Sequence, residues 1–123
     1  MQTALSAAFL VVPLKTVLFE ELAFRGLMPA LLKELGSQTW AIAVISTVLF
    51  GIWHLLTVPA AGTGLLGGQA HLLTLAVTFL VTAAAGLMLY FLRSSSGSLV
   101  ASVLVHWLIN GSAIILAALS WHR

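Results

Sequence analysis

Apolar residues run along this chain in stretches of membrane-crossing length, separated by short polar or glycine-rich interruptions. A helix needs about 20 mostly apolar residues to cross a hydrocarbon core of roughly 30 Å. Four stretches qualify, at about 3–35, 40–56, 70–92 and 98–121. The first contains Pro13 and Pro29 and is interrupted by Lys15, Glu20, Glu21, Arg25 and Lys33. At about 1.5 Å per residue it would extend roughly 50 Å, so it is expected to tilt strongly or to break around residues 26–29. A connection with four glycines, 58–69, and a polar turn, 94–97, separate the later stretches. Thr74, Thr78, Thr82 and Gly86 form an i+4 stripe of small residues on the third stretch, which predicts a helix-packing face or the lining of a substrate groove. The predicted fold is therefore all-α and membrane-embedded: one domain over 1–123, a bundle of about four transmembrane helices.

Composition sharpens this picture. Hydrophobic residues make up 61% of the 123 positions and charged residues 7%, against roughly a quarter charged in soluble domains. Five scattered Lys/Arg form no basic footprint, so nucleic acid is not an expected partner and the lipid bilayer is. There is no Cys and no Asp, which excludes disulfides, thiolate zinc sites, Cys nucleophiles and two-aspartate intramembrane catalysis. The N-terminal residues lack the positive charge of a cleavable signal peptide. Lys33 and Arg93 at one set of loops, against Arg123 at the other, set a weak bias toward cytoplasmic 36–39 and 94–97 loops. Trp40, Tyr90 and Trp121 fall near span ends, where interfacial aromatics belong.

Ionisable residues inside a membrane segment cost at least about 2.5 kcal/mol each on insertion scales, so they are candidates for function. The spans hold Glu20, Glu21 and Arg25, then His54, then His106 and Asn110. Glu21/Arg25, Phe50/His54 and His106/Asn110 are each spaced i, i+4, so each pair shares one helix face. Glu21 can neutralise Arg25, and this pair serves a purely structural role as readily as a functional one. Glu20 lies about 100° further round the helix, without a local partner. Counted from the 36–39 and 94–97 side at about 1.5 Å per residue, Glu20, His54, His106 and Asn110 come out about 22, 21, 12 and 18 Å deep. One polar centre is expected. His71 and His122 lie at span ends and are read as interfacial, while Trp53 and Trp107 either wall the site or simply pack.

A carboxylate, two imidazoles and an amide suit peptide-bond hydrolysis: a general base takes a proton from water, and hydrogen-bond donors hold the oxyanion. Ser112 offers a serine-protease alternative on paper, but no G-x-S-x-G elbow surrounds it. Glu20-Glu21-Leu-Ala-Phe-Arg25, Phe50-Gly-Ile-Trp-His54 and His106-Trp-Leu-Ile-Asn110 read as E-E-x-x-x-R, F-x-x-x-H and H-x-x-x-N. In this order, on three hydrophobic segments, they resemble the CPBP intramembrane proteases, the CAAX-protease and bacteriocin-processing or Abi family.

The resemblance implies a reduced CPBP-type core and a glutamic endopeptidase without a metal or other cofactor. Glu20 and His54 would activate water, His106 and Asn110 would form the oxyanion site, and Glu21, Arg25 and Phe50 would support them. It further implies a membrane-associated peptide or protein substrate, and a multi-pass location in the plasma membrane of a prokaryote. Members of the family usually have more helices than the four read here, so assembly with copies of the chain or with another subunit is an expectation too. Two other readings compete. One carboxylate and two histidines also form a catalytic zinc set, although no H-E-x-x-H or H-x-x-E-H motif is present. A non-catalytic immunity or interaction protein could keep the same fold. A transporter is a weaker alternative, since no inverted repeat is visible.

Overall fold

The computed structural model describes residues 2–59 and 65–121, and the described residues form four helices without strands. The first is one unbroken helical run over 2–34; Thr39–Leu55, Leu65–Ser96 and Leu99–Trp121 follow. The second and third helices pack along their lengths, and the first packs against the fourth and, by its C-terminal end, against the second. Gly68–Ser96 and Leu99–Ser120 are each long and apolar enough to cross a membrane. Large apolar side chains such as Leu14, Leu27, Leu72, Leu80, Val100 and Leu108 face outward, as a bilayer requires and water would penalise. The glycine-rich connection lies partly outside the described residues, as do His122 and Arg123.

The first helix corrects the expectation of a break. Neither proline interrupts it: Pro13 lies inside the π-wound Ala7–Val17, and Pro29 stands in the first turn of the α-helical Met28–Glu34, directly after the π-wound Leu22–Leu27. Leu18 N–H donates to the Pro13 carbonyl and Met28 N–H to the Ala23 carbonyl, each five residues back. In that register a proline, which has no N–H, deprives the carbonyl five residues before it of a partner. Those two carbonyls are Ala8 and Phe24. Each is satisfied from another helix: the Trp107 indole donates to Ala8 O at 2.7 Å, and the Ser46 hydroxyl donates to Phe24 O at 2.6 Å. Buried backbone acceptors rarely go unpaired, so the prolines become points of interhelical attachment rather than breaks.

The helix ends at Gly36, whose φ of +79° is one that side chains rarely adopt. Gly36 N–H donates to Lys33 O and Ser37 N–H to Leu32 O, the paired bonds of a Schellman turn. The predicted polar turn at 94–97 is shorter than its composition suggests. Ser94, Ser95 and Ser96 return their hydroxyls to the Tyr90 and Leu92 carbonyls, so the third helix continues through Ser96.

The small-residue stripe is a packing face at one end only. Gly86 is buried, and a Cβ there would lie 2.9 Å from the Phe50 ring. Thr78 and Thr82 are partly buried, whereas Thr74 is exposed. Tyr90, expected at an interface, is instead buried with Ile42 and Ala43.

Candidate active site

Glu20 and Glu21 occupy the short α-helical segment Leu18–Glu21, between the two π-wound stretches of the first helix. Both are buried, with exposures of 4% and 0%. Such burial demands compensation, and the two acids find it in different ways.

Glu21 has three levels of support. Its Oε1 pairs with Arg25 Nη1 at 3.1 Å, one helical turn on, and accepts from His106 Nδ1 at 2.9 Å. Arg25, itself 3% exposed, donates through Nη2 to the Gly86 carbonyl at 3.2 Å and stacks 3.9 Å over the Phe50 ring. A Cβ at 86 would lie 3.4 Å from Arg25 Nη2, in close contact, while its clash would be with Phe50. Glu21 thus joins the first helix to the fourth, and Arg25 joins it to the third.

Glu20 is held differently. The Trp53 indole donates to its Oε1 at 2.9 Å. Its other oxygen, Oε2, has no hydrogen-bond partner in the protein and lies 3.9 Å from His54 Nε2 and 3.6 Å from His106 Nε2. One oxygen is therefore anchored and the other faces both imidazoles.

The hydrogen bonds assign the histidine tautomers. His54 Nδ1 lies 2.9 Å from the Phe50 carbonyl one turn back. A carbonyl only accepts, so Nδ1 carries the proton and Nε2 of the neutral ring presents its lone pair toward Glu20. His106 Nδ1 faces the Glu21 carboxylate, so it donates as well. Neutral His106 then has its lone pair on Nε2, where the Asn110 amide Nδ2 donates at 3.2 Å. Phe50 packs beneath the cluster, with ring centroids 4.4 Å from His54 and 5.7 Å from His106.

The structure thus brings Glu20, Glu21, Arg25, Phe50, His54, His106 and Asn110 into one cluster. Two features were not legible in the sequence: the Glu21–His106 bond, between positions 85 residues apart, and the hold of Trp53 on Glu20. Trp53 was distinguished only by its place beside His54. Trp107, its counterpart beside His106, braces the Ala8 backbone instead. Ser112 is exposed and returns its hydroxyl to Ile109 O one turn back. Among the described residues no group of three His, Cys, Asp or Glu side chains has the arrangement of a metal site.

The chain is an all-helical membrane bundle with a buried carboxylate–imidazole centre. The family model described as type II CAAX prenyl endopeptidase Rce1-like matches residues 2–112, and the chain belongs to that family, within the CPBP proteases. No curated protein and no solved structure matches it. Membership makes the chain a membrane-embedded protein of an intramembrane protease family.

Proposed function

We propose that the chain is a multi-pass glutamic endopeptidase that hydrolyses a peptide bond of a membrane-associated substrate without a cofactor. The observation that carries this reading is the approach of Glu20 Oε2 to the two Nε2 atoms, at 3.9 and 3.6 Å. Glu20 Oε2 and His54 Nε2 both present lone pairs, so a water between them donates one hydrogen to each. That leaves the water oxygen free to attack.

In the first step the water oxygen bonds to the substrate carbonyl carbon while Glu20 takes its proton. The carbonyl oxygen becomes an oxyanion, stabilised by donors from His106 and Asn110. In the resting site the Asn110 amide donates to Nε2 of neutral His106; with substrate bound, His106 carries a second proton taken up from solvent, and its Nε2–H and the released Asn110 amide both turn to the oxyanion. The Glu21 carboxylate on Nδ1 stabilises that positive charge, and Arg25 holds Glu21 in place. In the second step the carbon–nitrogen bond breaks and Glu20 returns its proton to the leaving amine. The products are a carboxylic acid and an amine, and Glu20 is again a carboxylate.

The test is cleavage of a quenched peptide panel by detergent-purified wild type and Glu20→Gln, each with and without a zinc chelator. The isosteric change keeps the Trp53 bond and removes the base. Loss of about 10²–10⁴-fold in rate, the range of general-base catalysis, with wild-type cleavage surviving the chelator, is the expected result. Loss of wild-type cleavage on chelation would replace this mechanism with the zinc one. Wild-type rates in Glu20→Gln would remove Glu20 from the chemistry and favour the other readings.

A further inference from the structure

A second polar site lies toward the loop ends of the bundle, away from the histidines. The first three helices line an open-sided cavity of about 440 Å³ there. Three cations line it: Arg25 at its inner end, and Lys33 and Arg93 near the ends of the first and third helices. No acidic residue is among its lining. Arg25 is already committed to Glu21 and to the Gly86 carbonyl. Lys33 and Arg93 are not: neither takes part in an ion pair among the described residues, and Arg93 Nε is buried without a hydrogen-bond partner. The buried, unpartnered Arg93 Nε and the exposed Lys33 line the same cavity with no acid among its lining, so an entering anion would find two uncompensated positive charges there. The hydroxyls of Ser37 and Thr39 add polar groups to the same wall.

The cavity does not stand alone. Through Gln38, Thr39 and Tyr90 it continues into a groove of about 830 Å³ between the second and third helices. Trp40, Val44, Leu87 and Phe91 wall that groove, and all four are exposed. A cationic chamber opening onto an apolar groove matches an amphipathic anion. The chamber sits where the first helix ends and the second begins, beside Arg93 and Ser94 of the third, and the groove is lined by apolar residues of the second and third helices. Basic pockets between transmembrane helices recognise anionic headgroups in this way.

We infer that this paired cavity and groove bind an anionic phospholipid, with its phosphate between Lys33 and Arg93 and an acyl chain along Val44, Leu87 and Phe91. A bound lipid joins the ends of the first three helices and shields Arg25 from water on the side opposite Glu21. The inference does not rest on the protease reading, and its test measures binding rather than cleavage.

The test titrates the detergent-solubilised full chain with phosphatidylglycerol and with phosphatidylcholine of identical acyl chains, counting bound lipids by native mass spectrometry. Inorganic phosphate and a short peptide with a free C-terminal carboxylate are added as competitors. The expected result is tighter binding of phosphatidylglycerol, weakened about fivefold by each of Lys33→Gln and Arg93→Gln, with neither competitor displacing it at equal concentration. Equal binding of the two lipids would overturn the inference. So would a phosphatidylglycerol preference that survives both substitutions. Displacement by phosphate would make this a free-anion site, and displacement by the peptide would make it a carboxylate site. Lys33 is exposed, so Lys33→Gln reads the result even where Arg93→Gln does not fold.

Discussion

At the scale of single residues, the central fact is the unequal treatment of two adjacent carboxylates. Glu21 commits one oxygen to both an arginine and a histidine, whereas Glu20 has one oxygen fixed by an indole and the other directed at two imidazoles. In the proposed mechanism Trp53 is therefore a positioning residue. Phenylalanine keeps most of its packing and removes its N–H, and a hydrogen bond to a charged group contributes about 1.5–3 kcal/mol. Trp53→Phe should lower kcat by about tenfold or more while leaving KM near its wild-type value, because the interaction acts on the base and not on substrate binding. Peptide-cleavage kinetics check this. A rise in KM at unchanged kcat would make Trp53 a substrate contact instead. The i, i+4 spacing showed that Glu21 could reach Arg25 and that Glu20 had no local partner. The partner of Glu20 comes from another helix, 33 positions away, and local spacing carries no information about such a contact.

At the scale of elements, the two prolines of the first helix explain two contacts that look unrelated. Pro13 and Pro29 each release a carbonyl five residues back, and Trp107 and Ser46 each supply the missing donor. Removing the Ser46 hydroxyl should cost about 1–3 kcal/mol, the penalty for a buried unpaired acceptor. In a Pro29→Ala background the amide at position 29 can bond Phe24 O itself, so Ser46→Ala should cost clearly less there. Unfolding of the four combinations in detergent measures this coupling. Equal costs in both backgrounds would break the link between Pro29 and Ser46. The apolar periodicity marked the helices well, and the observed Thr39–Leu55 and Leu99–Trp121 fall within a residue of the predicted ends. It failed at the prolines and at the 94–96 serines. Each carries a breaking signal that a neighbouring donor or acceptor cancels.

At the scale of the whole molecule, the outward-facing apolar side chains and the buried Glu20, Glu21 and Arg25 describe a bundle turned to suit a bilayer. Up–down threading places Glu34 and Ser95 on one side of the membrane and Thr57 on the other. The chain has no cysteine, so Glu34→Cys, Ser95→Cys and Thr57→Cys, made one at a time, report topology without background. An impermeant thiol reagent applied to one side should label Thr57→Cys alone or the other two alone. Labelling of all three from the same side would rule out the multi-pass arrangement.

The residue types, their i, i+4 pairs and the four apolar stretches were enough to identify the helices, the inward-facing chemistry and the family. Those features are local: a helix repeats every 3.6 residues, so spacing alone says which side chains share a face. The hold of Trp53 on Glu20, the Glu21–His106 bond, the tautomers of His54 and His106, and the survival of a proline-containing helix were decided only when the helices met. Each depends on which atom of a distant side chain arrives within about 3 Å of another. Trp53, Ser46, Trp107 and Gly86 acquire their roles from the packing of helices that are remote in the chain.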